Sequence, residues 1–202
     1  TGCRRRDGSG APAKRERFFN GGRCRNAIDE EFQLAKSLRE RFSIEAPSLD
    51  APIETLSGGN RTLAGSTIIT QDTLIGGNSP LSITGNADIG GTMNAVTNLS
   101  ITGTANLGAD ITTSGTQTYT DAVTLSGSDR TLTGSTVNTR ATLAGGGNAL
   151  TITGAANIDG AYSGITNLSV NGASNIGADI TTTGTQTYSG AVTLSSGDRT
   201  LT

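Results

Sequence analysis

Histidine and tryptophan are absent from this 202-residue chain, and only 3% of its residues are aromatic. Without histidine the chain has no Ser-His or Cys-His nucleophilic pair, and no general base of the kind that usually works near neutral pH. Without tryptophan, and with few other aromatic residues, it lacks the large side chains that dominate thick cores. The composition excludes histidine-based hydrolase sites and disfavours an ordinary globule.

Cysteine and lysine are also scarce. The two cysteines are Cys3 and Cys24, and residues 55–202 contain neither cysteine nor lysine. Two cysteines without histidine do not make a typical zinc site, so we interpret them as separate thiols, with a disulfide as the alternative. Residues 55–202 carry four arginines against eight aspartates, whereas nucleic-acid binding needs a basic stripe. We therefore predict no nucleic-acid partner, no metal and no cofactor.

A 69-residue repeat dominates the sequence. Leu56–Thr133 recurs without a gap as Leu125–Thr202, and 48 of the 78 aligned positions are identical. Inside the repeat, LSITGNADIG (from Leu81) is echoed by LSITGTANLG (from Leu99). Steps of unequal length complete the period, through the equivalent positions Ile83, Ile101, Tyr119, Leu132 and Ile152. A long period of this kind is typical of stacked supersecondary units rather than of one globular core.

Each unit reads as a strand, a glycine corner and another strand. Apolar residues alternate with serine, threonine or asparagine, which is the pattern of a half-buried strand, and glycine supplies the tight corners. We predict an all-β fold, a parallel β-solenoid with three or four coils per repeat. The predicted interior residues are Leu81, Ile83, Leu99, Ile101, Leu150, Ile152, Leu168 and Val170. The predicted corner residues are Gly85, Gly103, Gly154 and Gly172.

The chain divides at residue 47. Residues 1–47 are predicted to be a basic leader, which we interpret as disordered rather than as attached to nucleic acid or membrane. It contains one amphipathic helix, at residues 26–42. This segment would cap the first coil, belong to another module, or be a stretch that is not translated in the natural reading frame. Residues 48–202 are predicted to be solenoid: a first copy at 56–124, a second at 125–193 and the start of a third at 194–202. We expect an internal fragment of a longer protein, self-associating through open solenoid ends.

Repeated aspartates are the one candidate for catalysis. Asp110 recurs as Asp179, and Asp129 recurs as Asp198. A carboxylate pair would suit glycoside hydrolysis, but catalysis needs a unique constellation, whereas these residues recur with the scaffold. We interpret them as corner or capping residues, and we assign no catalytic, cofactor-binding or metal-binding residue.

Three further motifs are interpreted as structural. GGGNALTIT, from Gly145, lacks the aspartate of a calcium-binding nonapeptide. Thr-x-Thr triplets, such as those beginning at Thr131 and Thr151, would bind ice only if they lay on the same face of every coil, and the uneven steps oppose this. The arginine of DRTL, as in Arg130, is expected to form a solvated pair with its neighbouring aspartate.

The stretches LSITG, ITGAANIDGA, NIGADITTTGTQTY and GDRTLTGS resemble the β-strand repeats of very large bacterial exoproteins, namely filamentous haemagglutinin-like adhesins and autotransporter passengers exported by type V secretion. The resemblance covers about residues 48–202 and lies in repeat style. It implies a right-handed parallel β-helix, secreted or displayed on the outer-membrane surface of a Gram-negative bacterium.

The resulting functional hypothesis is a non-enzymatic shaft segment of a surface adhesin. Its expected partners are glycans or proteins of a host or neighbouring cell, and an outer-membrane secretion partner. The alternatives are a β-helical polysaccharide-active enzyme and an ice-binding solenoid.

Overall fold

The computed structural model describes residues 59–202, and every regular element in that range is a β-strand. The chain divides into two units, Thr1–Ile44 and Glu45–Thr202, and the described residues belong to the second. The predicted leader with its two cysteines, its helix at 26–42 and the predicted start of the solenoid at residue 48 lie outside the described residues. The strands are β1 (Arg61–Thr70), β2 (Leu74–Ile89), β3 (Met93–Ile101), β4 (Ala105–Leu107), β5 (Ile111–Thr113), β6 (Thr116–Tyr119), β7 (Val123–Leu125), β8 (Arg130–Thr139), β9 (Leu143–Ala144), β10 (Leu150–Ile158), β11 (Tyr162–Ile165), β12 (Leu168–Val170), β13 (Ser174–Ile176), β14 (Ile180–Thr182), β15 (Gln186–Tyr188) and β16 (Val192–Leu194).

These strands form a parallel β-solenoid of about seven turns, which confirms the predicted fold. Each turn has three faces, defined here by the inward residues that stack on one another. The first face contains Leu81, Leu99, Gln117, Val137, Ala156, Ser174 and Val192. The second contains Ile68, Ala87, Ala105, Val123, Leu143, Tyr162 and Ile180. The third contains Leu74, Met93, Ile111, Leu132, Ile152, Val170 and Tyr188.

The core is a single apolar column enclosed by the three faces. The eight predicted interior residues, from Leu81 to Val170, are all 0–1% exposed. Alternation explains this arrangement, because successive side chains of a strand point to opposite sides, so leucine, isoleucine and valine turn inward while serine, threonine and asparagine turn outward. The predicted interior is confirmed.

Glycine lets the corners of successive coils approach closely. Gly85 has a φ of +114° and Gly154 a φ of +128°, and a Cβ at either position would overlap a carbonyl oxygen of the adjacent coil. In the next coil, the N–H groups of Gly103 and Gly172 donate to the carbonyl oxygens of Gly85 and Gly154 at 3.1 and 3.0 Å. A larger residue at Gly85 or Gly154 would meet both a left-handed backbone and the neighbouring coil. The predicted corner role of these glycines is confirmed.

The sequence repeat does not coincide with a whole number of turns. Leu81 lies on the first face, but Leu150, its equivalent in the second copy, lies on the third. Ala87 lies on the second face, whereas its equivalent Ala156 lies on the first. One repeat therefore advances three turns and two faces, so neither three nor four coils per repeat is correct.

A short step inside the repeat causes this offset. A full turn carries the chain from Leu81 to Leu99 on the first face, or from Ile111 to Leu132 on the third. The shorter step from Tyr119 to Leu132 carries the chain only from the first face to the third. Equivalent residues of consecutive copies consequently project from different faces.

Candidate functional site

A polar cluster lies inside the apolar column. Gln117 is fully buried, and its Nε2 donates hydrogen bonds to the carbonyl oxygen of Thr133 at 2.7 Å and of Ile111 at 3.2 Å. The hydroxyl of Tyr119, also fully buried, donates to Oε1 of Gln117 at 3.0 Å. Burial raises the pKa of the Tyr119 phenol far above its ordinary value. Each polar group therefore has a partner, as a buried amide and phenol require.

The cluster recurs in the second copy, two faces further round. Gln186 donates to the carbonyl oxygens of Ile180 at 3.2 Å and of Thr202 at 2.9 Å, and it accepts from Tyr188 at 3.0 Å. The repeat pattern aligns Tyr119 with the predicted interior residue Ile101, but neither glutamine was predicted to be buried. The repeat inside the 69-residue period could have located Gln117. The same alignment that puts Tyr119 at the position of Ile101 puts Gln117 at the position of Leu99, which is buried.

A second buried pair lies further along the column. The hydroxyls of Thr139 and Tyr162 are 2.8 Å apart and both residues are buried. Burial raises the pKa of the Tyr162 phenol, and the hydrogen bond with Thr139 partly opposes that rise. These hydrogen bonds join neighbouring coils, whereas most of the other interior contacts between coils are apolar.

The repeated aspartates cap the backbone of the next coil. Oδ1 of Asp110 accepts the N–H of Thr131 at 2.9 Å, and Asp179 accepts the N–H of Thr200 at 3.0 Å. Asp129 accepts the N–H of Ala149 at 2.8 Å. The capping interpretation of Asp110, Asp179 and Asp129 is confirmed by these bonds. The same kind of bond joins three asparagines, Asn98, Asn86 and Asn167, to Thr116, Thr104 and Thr185.

Arg130 was expected to pair with the carboxylate of its neighbour Asp129, and this expectation is wrong. Its guanidinium donates instead to backbone carbonyl oxygens, with Nη2 at 2.6 Å from Ser126 and Nε at 3.2 Å from Leu107. The Asp129 carboxylate is directed to the next coil. The carbonyl oxygens of Leu107 and Ser126 also accept the N–H groups of Ser126 and Ser128, at 3.0 and 3.1 Å, and the planar guanidinium, with several donors, adds further hydrogen bonds to them. Arg199 repeats the arrangement in the second copy.

The threonine triplets form only a short ladder. Thr131 and Thr133 on the third face pair with Thr151 and Thr153 of the next coil. The triplet from Thr116 lies on the first face instead. The offset between repeat and turn thus disperses the triplets over different faces.

The Gly145–Asn148 loop is held by its own backbone. Gly146 and Gly147 have φ values of +61° and +84°, and Nδ2 of Asn148 donates to the carbonyl oxygen of Gly145 at 3.0 Å. Among residues 59–202, no group of three or more acidic or cysteine side chains is placed to hold a metal ion.

The coil that ends the described structure presents apolar residues to solvent. Val192 is 44% exposed, Leu194 is 55% exposed and Leu201 is 40% exposed, although their counterparts occupy interior positions elsewhere. An open cavity of ≈ 350 Å³ lies on the same coil, lined by Thr182, Gly184, Gln186, Tyr188, Leu201 and Thr202. Apolar surface is therefore concentrated at this end of the described chain.

Within residues 59–202 there is no helix of the length and apolarity needed to cross a membrane. Comparison of the chain with protein-family models, with curated proteins and with solved structures finds no match in any of the three.

Proposed function

We propose that residues 59–202 are a segment of a non-catalytic shaft, belonging to an adhesin that is secreted or displayed on a bacterial surface. The shaft would hold a binding region away from the cell, and its partners would be surface glycans or proteins. The observation that carries the proposal is the advance of three turns and two faces per repeat. Equivalent surface residues of the two copies therefore project from different faces, as suits a spacer without one unique binding face.

The construction of the coils supports a load-bearing role. Parallel strands stack at about 4.8 Å per turn, so about seven turns span roughly 30 Å along the axis. Interior contacts join each coil to its neighbours, so that stability accumulates by addition of coils. Corner caps such as Asp110 to Thr131 fasten successive coils at their edges as well as through the core.

The repeat region is also suited to export. It contains no cysteine, so an oxidising environment has no thiol to oxidise there. Its outward residues are mainly threonine, serine and asparagine, which offer broad hydrogen-bonding contact with glycans or proteins and would act through many weak sites. Localisation at the outer surface is part of the proposal.

Single-molecule force measurement on the full chain tests the shaft role. Pulling along the solenoid axis should release coils in steps of about 18 to 21 residues, each lengthening the chain by roughly 60–75 Å. The Gly154→Ala variant should lower the force of one step or two, with Gly147→Ala as its matched control. A chain that extends without resisting force would refute a mechanical role.

A parallel binding measurement separates the shaft from the adhesive function. The chain immobilised on beads should bind cell-surface glycans or matrix proteins weakly and in proportion to its surface density. Turnover of a polysaccharide, or a change in ice growth, would replace the proposal with one of the two alternative functions.

A further inference from the structure

Two asparagines carry a side-chain amide nitrogen that the solenoid does not use. Asn98 and Asn167 hold equivalent positions in the two copies, and both are exposed. Their Oδ1 atoms accept the N–H groups of Thr116 and Thr185, in the next coil, at 2.8 and 2.9 Å. Within residues 59–202, Nδ2 of neither asparagine donates a hydrogen bond. The fold therefore uses the oxygen of each side chain and leaves its nitrogen to solvent.

Other asparagines of the solenoid have their amide nitrogens engaged. Nδ2 of Asn106 donates to the carboxylate of Asp88 at 2.8 Å, and Nδ2 of Asn157 donates to Oδ1 of Asn138 at 2.8 Å. Nδ2 of Asn138 and of Asn148 donates to backbone carbonyl oxygens. At these positions the amide group as a whole has a structural role.

Capping alone does not explain an amide at positions 98 and 167. Asp110 and Asp179 accept the N–H groups of Thr131 and Thr200 in the same manner, with a carboxylate oxygen and no amide nitrogen. A cap of this kind needs only a side-chain acceptor. The nitrogen of the two asparagines is therefore available for another role.

Each of these asparagines begins an Asn-Leu-Ser triplet, at residues 98–100 and 167–169. Asn-x-Ser or Asn-x-Thr, with x other than proline, is the pattern to which N-linked sugars are attached. A third triplet of this pattern, at residues 60–62, is not repeated, because its counterpart in the second copy begins with Asp129. The Asn-Leu-Ser triplet is thus the one that recurs with the 69-residue period.

The strand geometry presents the asparagine and the serine of each triplet on the outer surface. Leu99 and Leu168, at the centres of the triplets, are both 1% exposed. Because successive side chains of a strand point to opposite sides, the residues that flank each leucine face outward. Ser100 and Ser169 are half-buried, and within the described part of the chain neither hydroxyl forms a hydrogen bond. An enzyme that approaches from outside can contact both groups of a triplet, which lie about 6.6–6.8 Å apart along the strand.

We propose that Asn98 and Asn167 are acceptor sites for N-linked sugars, and that the transferase recognises the hydroxyls of Ser100 and Ser169. The donor is an activated sugar, a nucleotide-linked or lipid-linked sugar diphosphate. Nδ2 attacks the anomeric carbon, a carbon–nitrogen bond forms, and the bond from that carbon to the phosphate oxygen breaks. The diphosphate leaves with the electron pair, and one amide proton passes to a base of the transferase.

The modification is compatible with the fold as it stands. Oδ1 of each asparagine keeps its hydrogen bond to the next coil, since only the nitrogen reacts. The triplets precede the first face in one copy and the third face in the other. With three turns and two faces between them, they lie roughly 18 Å apart along the axis. Attached sugars would therefore cover different sides of the solenoid. The proposal does not depend on the adhesive function.

Mass spectrometry of the protein recovered from the cells that naturally make it provides the first test. Fragmentation should place the added mass of a sugar on Asn98 and Asn167. Asn86 is the internal control, because it is exposed and caps Thr104 through Oδ1 in the same way, but residue 88 is an aspartate and not a serine or threonine. Unmodified Asn98 and Asn167, or equal modification of Asn86, would overturn the proposal.

Transfer to the folded full chain in solution tests the role of the triplet. The chain is incubated with UDP-glucose and a soluble asparagine N-glycosyltransferase, and circular dichroism checks that it stays folded. The wild type should gain glucose at Asn98 and Asn167, whereas Ser100→Ala/Ser169→Ala should lose this transfer and keep the thermal stability of the wild type. No transfer to the folded wild type, or undiminished transfer to the double variant, would refute the proposal.

A new triplet at Asn86 tests whether the geometry is sufficient. Asp88→Thr completes an Asn-x-Thr triplet around Ala87, which is 3% exposed as the leucines of the natural triplets are nearly buried. Asp88→Ala is the matched control, because it removes the same carboxylate and supplies no hydroxyl. Glucose should be transferred to Asn86 only in Asp88→Thr. Equal transfer in both variants, or none in either, would contradict the proposed recognition of an outward amide and hydroxyl.

Discussion

The hydroxyl of Tyr119 donates a 3.0 Å hydrogen bond to Oε1 of Gln117, and both side chains are completely buried in a column that is otherwise mainly apolar. The amide in turn donates to the carbonyl oxygen of Thr133 in the next coil. A residue pair that is two positions apart on one strand thereby joins adjacent coils through a polar bridge.

Removing only one member of this pair should destabilise the solenoid. Gln117→Leu leaves the Tyr119 hydroxyl and the Thr133 carbonyl without these partners, and we expect a loss of about 1–3 kcal/mol in the free energy of unfolding. Urea denaturation of the full chain, followed by circular dichroism, measures this loss. The double variant Gln117→Leu/Tyr119→Phe should lose less than the sum of the two single variants, because each single change leaves a buried group unpaired.

The same substitution in the second copy is the matched control. Gln186 makes equivalent bonds but is only partly buried, so Gln186→Leu should cost less than Gln117→Leu. Equal losses at the two positions would show that burial does not set the energy of this cluster.

The fold was predictable because its signals are local and repeated. Alternation placed residues such as Ile83 and Ile152 in the interior, and the period indicated stacked coils. The number of turns per repeat was not predictable, since sequence similarity identifies equivalent residues and not the face on which each one lies. The bonds of Arg130 were missed because its partners are backbone carbonyl oxygens, and backbone acceptors are not visible in a sequence.

Gly154→Ala should be much more damaging than Gly147→Ala. Both glycines have positive φ, so each substitution should cost about 1–2 kcal/mol in backbone strain. A Cβ at Gly147 meets no atom within 4 Å, whereas at Gly154 it would overlap the carbonyl oxygen of Gly134. Overpacking should add about 1–3 kcal/mol for Gly154→Ala alone. Thermal and urea unfolding measure the difference, and similar stabilities for both variants would contradict the close approach of the coils.

Asp110 should stabilise the solenoid by accepting a hydrogen bond with its side-chain oxygen, and not through its negative charge. Asp110→Asn keeps an oxygen that can accept the Thr131 N–H, and it should change the free energy of unfolding by less than about 0.5 kcal/mol. Asp110→Ala removes the acceptor and should lower the free energy of unfolding by about 0.5–1.5 kcal/mol. Asp121→Ala is the control, because Oδ1 of Asp121 accepts from its own neighbour Ala122 and does not bridge coils through that bond. If Asp110→Asn is as damaging as Asp110→Ala in urea denaturation, the carboxylate has a role beyond capping.

The buried tyrosines should make the solenoid sensitive to strong base. Burial raises the pKa of Tyr119 and Tyr162 well above the ordinary 10.0, and it raises the pKa of the half-buried Tyr188 as well. For an acid whose pKa is raised by folding, the neutral form is favoured in the folded state. Its contribution to stability is therefore fully present below pH 10.0 and is lost as the pH rises above the unfolded value.

An alkaline titration followed by phenolate absorbance and circular dichroism tests this order. Tyr188 should ionise first while the β signal persists, and the other two phenols should ionise together with unfolding, because the folded interior excludes their charged forms. Tyr162→Phe should shift the unfolding midpoint to higher pH, and Tyr188→Phe should shift it less. Ionisation of all three phenols with the β signal intact would place these side chains in contact with water, contrary to the packed interior of the coils.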